Sequence, residues 1–319
     1  MLTIVMYHYV RALSGARYPG IKALQTHEFE QQLDYLTSRY AICSLADVIA
    51  ASRGEGALPD RACVLTFDDG LIDHFTTVFP RLQRRRIPGA FFVPAMPVLE
   101  NRVLPVHKIH FILASVKGPG ELIEDLRGML RDARSADLPS EAELYERHAR
   151  PGRFDGPDVM FIKALLQHAL PEPLRTTLVD ELFTRRVSTD EAAFARELYV
   201  SAEQVRVMVD GGMELGGHGY HHGHLDRLSC EEQSREIDLT VRFLSRTLGT
   251  RPVDWAMCYP YGSYDQDTVR LLGAAGCGIA VTTRPEVVSD LSNPLELGRL
   301  NTNDFPPKAP ERSGLRGSS

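Results

Sequence analysis

The run Val64-Leu65-Thr66-Phe67-Asp68-Asp69-Gly70 sets two adjacent carboxylates where an apolar strand stops. Cys63, Val64, Leu65 and Phe67 form a nearly continuous apolar stretch that calls for burial on both faces, as strands of parallel sheets do. Carboxylates are almost never fully buried unless something pairs with them, so packing alone does not account for two in a row. Gly70 frees the backbone for a sharp exit, which places Asp68 and Asp69 at the strand's carboxyl end, where parallel α/β folds assemble their sites. An Asp-Gly turn with one aspartate capping a helix explains one carboxylate and leaves the other over.

Around this strand the sequence alternates. Leu2 to Met6 is an apolar run ending in Tyr7-His8, which reads as a buried strand. Thr26 is placed to cap a helix whose apolar face is Phe29, Leu33 and Leu36, and Ser44 with Asp47 opens a short helix carrying Leu45, Val48 and Ile49. A helix near residues 75–86 and a strand over Gly89–Val93 follow. Further along, Ser201 with Gln204 forms a capping box, Met213–Gly216 a strand, and Ser229 with Glu232 a second box before a helix with Ile237, Val241 and Leu244. Trp255–Cys258 and Ile279–Thr282 read as strands, and strands alternating with helices predict an α/β architecture with a parallel sheet.

Between about residues 101 and 198 the rhythm changes. Phe161, Ile162, Leu165 and Leu166, then Leu174, Leu178 and Leu182, recur at helical spacing, and Ser188-Thr189-Asp190-Glu191 looks like a capping box. The expected organisation is a barrel over 1–102 and 199–305, a helical insertion over 103–198, and a disordered tail over 306–319.

With 319 residues, 43% of them hydrophobic, the chain can bury a substantial core. A net charge of −6 without a basic stripe argues against a nucleic-acid partner. No run of about eighteen apolar residues is present to span a bilayer. Met1 to Val10 lacks the positively charged start of an export signal, so a cytoplasmic location is expected. The five cysteines, Cys43, Cys63, Cys230, Cys258 and Cys277, lack metal-site spacing and read as free thiols.

His218-Gly219-Tyr220-His221-His222-Gly223-His224 packs four histidines into seven positions directly after a strand. Histidines four apart converge on one ion when the segment is helical or tightly turned, and imidazole suits zinc and its neighbours. A surface cluster is the plainer alternative.

Thr66-Phe67-Asp68-Asp69-Gly70 resembles the first motif of the polysaccharide deacetylases, carbohydrate esterase family four. His218-x-x-x-His222, following Glu214-Leu215-Gly216-Gly217, is similar to the second motif, and Tyr259-Pro260-Tyr261-Gly262-Ser263-Tyr264 to the third, in the family's order. The resemblance covers residues 1 to about 100 and 200 to about 305. It implies a distorted (β/α)7-type barrel and a divalent metal held by Asp69, His218 and His222, zinc foremost, with nickel, cobalt and iron suited to the same donors. It further implies Asp68 as general base and the Tyr261 backbone N–H as an oxyanion donor. Tyr259 and Pro260 become candidate substrate contacts.

Most of the family carries its general acid in a late Leu-x-His motif, and no histidine follows His224 here. Ile4-Val5-Met6-Tyr7-His8 has the required form and resembles the circularly permuted branch that deacetylates poly-N-acetylglucosamine, which implies His8 as the acid. An arginine usually stands two residues before the Pro-Tyr of the third motif, where this chain has Cys258. Arg299, in Gly298-Arg299-Leu300 after an expected terminal strand, is the candidate to orient Asp68 instead. The fourth motif is absent, since Asp254-Trp255 lies upstream of the third. His107, in Val106-His107-Lys108-Ile109-His110, faces either substrate or solvent in a loop, and His221 and His224 flank the ligand pair.

The resemblance implies a metal-dependent hydrolase that removes an N-acyl group, acetyl or formyl, from an amino sugar. Without an export signal the expected substrate is a nucleotide-linked or lipid-linked intermediate of surface-polysaccharide (O-antigen) synthesis. Two other readings compete. A cyclic imide or ureide hydrolase of the same fold is disfavoured by the intact Asp69, His218 and His222, and a carbohydrate-binding protein without turnover draws support from Cys258.

Overall fold

The computed structural model describes residues 1–133, 138–152 and 155–309. Among these, eight strands form one parallel sheet: β1 (Leu2–Tyr7), β2 (Ala41–Ile42), β3 (Ala62–Asp68), β4 (Ala90–Val93), β5 (Glu214–Gly217), β6 (Trp255–Cys258), β7 (Cys277–Val281) and β8 (Leu300–Asn301). Their order is β7-β6-β5-β4-β3-β1-β8, with β2 beside the start of β3. The sheet curls. Leu297 bridges to Val281 of β7, while Leu300 and Asn301 pair with Val5 and Met6 of β1, so residues 297–301 touch both margins. The architecture is α/β, a distorted (β/α) barrel, as the sequence predicts.

Each strand alternates between two cores, because successive side chains leave a strand on opposite faces. Ile4, Val64, Ala90, Phe92, Ala256, Ile279 and Val281 pack in one cluster on the inner face. Val5, Tyr7, Leu65, Phe67, Phe91 and Met257 pack in the other, against helices that include Thr26–Arg39 and Cys230–Leu248. Tyr7, Phe67 and Phe91 lie in register on neighbouring strands, and their rings stack at 5.0 and 4.9 Å. This aromatic ladder fixes the level at which β1 and β3 end. By the same parity, the next residues, His8 and Asp68, turn to the inner side.

Gly216 makes room for the inner core. A Cβ there would meet the Phe92 ring at 2.5 Å and the Ala256 carbonyl at 2.9 Å. Glu214, two residues earlier, accepts Leu45 N at 2.7 Å and Ala46 N at 2.8 Å, so a carboxylate from β5 caps the helix Leu45–Ser52. Glu214→Ala is expected to lower stability by about 1–2 kcal/mol, the usual cost of losing such a cap, read from urea denaturation.

The chain divides into two compact units: residues 1–12, 23–101 and from 196 onward make the first, and 13–22 with 102–195 the second. The second is helical, with Pro105–Ala114, Pro119–Ala133, Glu141–His148, Pro157–Ala164 and Glu172–Arg186 as its α-helices. Leu13–Lys22 belongs there because Tyr18 packs edge-on against Phe111 at 5.1 Å and its hydroxyl donates to the Val187 carbonyl. Buried Lys108 pairs with Asp180 at 2.7 Å and Glu191 at 2.8 Å.

Several local expectations are corrected. Gln25, not Thr26, caps the first helix, sharing a reciprocal box with Glu28. Asp190, not Ser188, accepts the N–H of Ala193 where the helix Glu191–Leu198 begins. The helix after the Asp-Asp pair opens with a π-helical turn, His74–Val78, before Phe79–Arg85. Arg299 follows the last expected strand, seen as Cys277–Val281, and directly precedes a further two-residue strand, Leu300–Asn301, that the sequence does not reveal. Of the tail, residues 306–309 continue in a turn in which Lys308 N and Ala309 N donate to Phe305 O, and residues 310–319 lie outside the described chain. No described helix is long and apolar enough to cross a membrane.

Candidate active site

β3 delivers Asp68 as its final residue, and the chain then turns through Asp69 (φ 78°) and Gly70 (φ 62°). Left-handed backbone at Asp69 swings its carboxylate away from the strand line, toward the loop after β5. His218 is the first residue beyond that strand, and His222, also left-handed (φ 58°), folds back over it. Non-glycine residues hold such conformations only where the surroundings enforce them. Here Glu236, on the helix Cys230–Leu248, accepts the backbone N–H groups of Tyr220 and His221 and the Nδ1 of His221, which holds the loop closed.

The result is a three-donor cluster. Asp69 Oδ1 lies 3.4 Å from His218 Nε2 and 3.4 Å from His222 Nε2, and the two nitrogens are 3.2 Å apart. All three side chains are buried. His218 Nδ1 donates to the Cys258 carbonyl at 2.8 Å, which leaves Nε2 as a lone pair facing the cluster. Zinc bonds of about 2.0–2.2 Å at tetrahedral angles place donors roughly 3.3–3.5 Å apart, so these separations fit a divalent ion. The donor set has the chemistry for one as well, because converging lone pairs and a carboxylate repel unless a cation lies among them.

A second triple, Asp68, His218 and Cys258, also comes within reach. It is a poorer cage. Burial pushes the Cys258 thiol up, Arg299 only partly opposing this, so the sulfur stays protonated. Both Asp68 oxygens are already taken by Arg299, at 2.8 and 2.7 Å.

That Asp68–Arg299 pair is bidentate and fully buried. Arg299 also donates to the Thr282 carbonyl at 2.9 Å, to Thr66 Oγ1 at 3.0 Å and to Cys258 Sγ at 3.1 Å. Burial alone would raise the Asp68 pKa, but the guanidinium outweighs it, with help from His8 and His218, and holds the carboxyl below its usual range. His8 Nε2 stands 3.9 Å from Asp68 Oδ2, and the His8 side chain is 41% exposed. The acid candidate therefore faces solvent across a buried carboxylate.

Tyr261 occupies a left-handed position (φ 59°) in the turn Pro260–Gly262. Gly262 N and Ser263 N tie that turn to Tyr259 O and Pro260 O, so its own bonds do not use the Tyr261 N–H. Its ring stacks on His224 at 4.2 Å and meets His222 edge-on at 4.9 Å. Tyr259 and Pro260 are buried, and the Tyr259 hydroxyl donates to Leu295 O, so their side chains turn inward rather than to a ligand. His107 lies in the helix Pro105–Ala114, fully buried, not in an exposed loop. Asp73, His74 and Glu236 went unnoticed in the sequence. Buried polar residues on helix starts carry no motif, and only Glu236 sits at a readable position, two turns into a capped helix.

The Asp-His-His cluster lies at the carboxyl ends of the barrel strands, and comparison with known proteins shows what the chain is similar to. Residues 182–280, which hold His218, His222 and the third motif, match the polysaccharide deacetylase family. A 70-residue stretch is 37% identical to the poly-beta-1,6-N-acetyl-D-glucosamine N-deacetylase of Escherichia coli, covering 22% of this chain and about a tenth (10%) of that protein's length. In fold the chain is similar to the deacetylase PplD of Streptococcus pyogenes, solved with acetate, at TM-score 0.56 and 16% identity over 94% of this chain and 91% of that one. It is similar also to IcaB of Ammonifex degensii, at TM-score 0.54 and 19% identity over the same shares. The resemblance to carbohydrate esterase family four, read from the three motifs, is borne out.

Proposed function

We propose that this protein is a metal-dependent deacylase that hydrolyses the N-acetyl group of an amino sugar. The observation that carries the reading is the convergence of Asp69, His218 and His222 at 3.2–3.4 Å beside a buried, charge-paired Asp68. A divalent ion bound there, zinc by its donor set, would polarise the amide carbonyl and acidify water. Asp68, kept ionised by Arg299, accepts a proton from the attacking water. His8, in its protonated form, gives a proton to the departing nitrogen as the C–N bond breaks. The Tyr261 N–H donates to the oxygen that gains charge. One proton enters at Asp68 and one leaves at His8, so the products are a carboxylic acid and an amine, and exchange with solvent resets both groups.

Arg299 weakens the competing reading of a binding protein without turnover, because Asp68 has its cation despite Cys258. The test is a panel of N-acetylated and N-formylated amino sugars, free, polymeric, nucleotide-linked and lipid-linked, assayed for acetate and formate. Release from none of them by zinc-loaded protein would overturn the proposal; formate alone would change the acyl group. Asp69→Asn and His222→Ala are expected to lose bound metal and with it all but a residue of turnover, measured by elemental analysis alongside the assay. A metal-replete His222→Ala protein would move the ion elsewhere.

A further inference from the structure

His8 lies just beyond the sheet. The final ladder residue of β1 is Tyr7, opposite Phe67, so the His8 carbonyl has no strand partner. His74 supplies one, with Nε2 3.0 Å from His8 O. A carbonyl only accepts, so Nε2 carries the hydrogen. The other ring nitrogen, Nδ1, is buried without a hydrogen-bond partner. The ring lies against Phe67 and Phe91, with centroids 5.8 and 5.7 Å away. Burial pushes its pKa down to about 4, against the raising effect of the His8 carbonyl, so the imidazole is neutral and has one N–H to give.

The preceding residue grips the same segment further on. Buried Asp73 accepts Val10 N at 3.2 Å and Arg11 Nε at 2.7 Å. Both residues stand at the opening of the π-helical turn, a form that recurs at functional sites. If His74 served only to fill its aromatic slot, Phe or Leu would do so without a buried, unsatisfied nitrogen costing about 1–3 kcal/mol. What imidazole adds there is a single directed bond to the backbone of His8.

We propose that Asp73 and His74 are positioning residues that hold the 8–11 segment so that the His8 imidazole stands over Asp68, and thereby set how well the leaving amine is protonated. This rests on the reading of His8 as the general acid.

The test uses zinc-loaded full-length protein and two substrates, an N-acetylglucosamine oligosaccharide, whose amine must be protonated to leave, and 4-nitrophenyl acetate, whose phenolate leaves without a proton. His74→Phe is expected to lower kcat on the amide roughly 30- to 100-fold, the scale of a misplacement of about 1 Å, with KM, metal content and ester rate unchanged within about twofold. His74→Gln, which keeps an N–H donor, restores the amide rate to within about threefold. The His8→Ala/His74→Phe pair is no slower on the amide than His8→Ala alone. Asp73→Asn, the second variant should His74→Phe fold poorly, shows the same amide-only loss at roughly fivefold. Equal loss on amide and ester, loss of metal, or an unchanged amide rate in the His74→Phe or Asp73→Asn protein would overturn the positioning role. If His8→Ala itself keeps the amide rate, the acid assignment fails instead, a distinct result.

Discussion

If the proposed roles hold, Asp68→Asn is expected to keep bound zinc and to lower amide hydrolysis by roughly 10²- to 10⁴-fold, the contribution typical of a general base. The side chain keeps its shape, and the ligand cluster of Asp69, His218 and His222 does not include it. Elemental analysis and acetate release on one preparation check both halves. A variant that loses its metal would put the ion in the second triple, with Asp68, His218 and Cys258, and would overturn the division of labour between the adjacent aspartates. The substitution also leaves the Arg299 guanidinium buried without its counter-charge, so the assay belongs well below the variant's melting temperature.

Arg299→Met lowers stability by about 3–5 kcal/mol at neutral pH, because it strands a carboxylate that is 1% exposed. The sign with pH follows from the opposing causes at Asp68. In the native protein the depressed pKa contributes stability above the ordinary carboxylate range, lost as pH falls through the depressed value. In the variant, burial is opposed only by the weaker effects of His8 and His218 and raises the pKa, so acid relieves the stranded charge. The deficit is therefore largest near neutrality and narrows as pH falls, measured by urea denaturation with chelator present throughout. The double variant Asp68→Asn/Arg299→Met is expected to recover much of the stability and none of the turnover, which separates charge balance from catalysis. A deficit that stayed the same at every pH would mean that Arg299 acts through packing alone.

The carboxylate pair and the histidine loop were legible because each breaks a local rule. Asp68 and Asp69 interrupt a strand that has every other mark of burial, and His218 to His224 is too dense in imidazole for chance. Strands such as Trp255–Cys258 and capping boxes at Ser44, Ser201 and Ser229 were legible for the opposite reason, since they obey local rules. Interactions spanning much of the chain are harder to read. Arg299 is a candidate partner of Asp68 in the sequence only because Cys258 stands where the resemblance puts an arginine; its reach across 231 positions, beside a strand only two residues long, has no periodicity to reveal it. His74 and Asp73 reach the His8 carbonyl, the Val10 N–H and the Arg11 side chain, and no pairing rule links a helix start to such distant partners. His107 was misplaced because a Pro at the first helical position looks like a loop from outside, while its neighbours Ile109, Phe111 and Ile112 bury the helix.

The joining of both sheet margins by residues 297–301 bears on how the protein comes off the ribosome. Strands β1 to β6, and with them the proposed ligands Asp69, His218 and His222, can emerge before residue 299 has been made. Until then Asp68 is an aspartate in an apolar wall without its guanidinium, and the inner core is unsealed along one seam. Contacts of such long sequence separation form late and slowly. On the proposed mechanism, sealing the barrel and pairing Asp68 with its cation fall together, and a nascent chain that has not reached Arg299 is expected to bind zinc without turning over substrate.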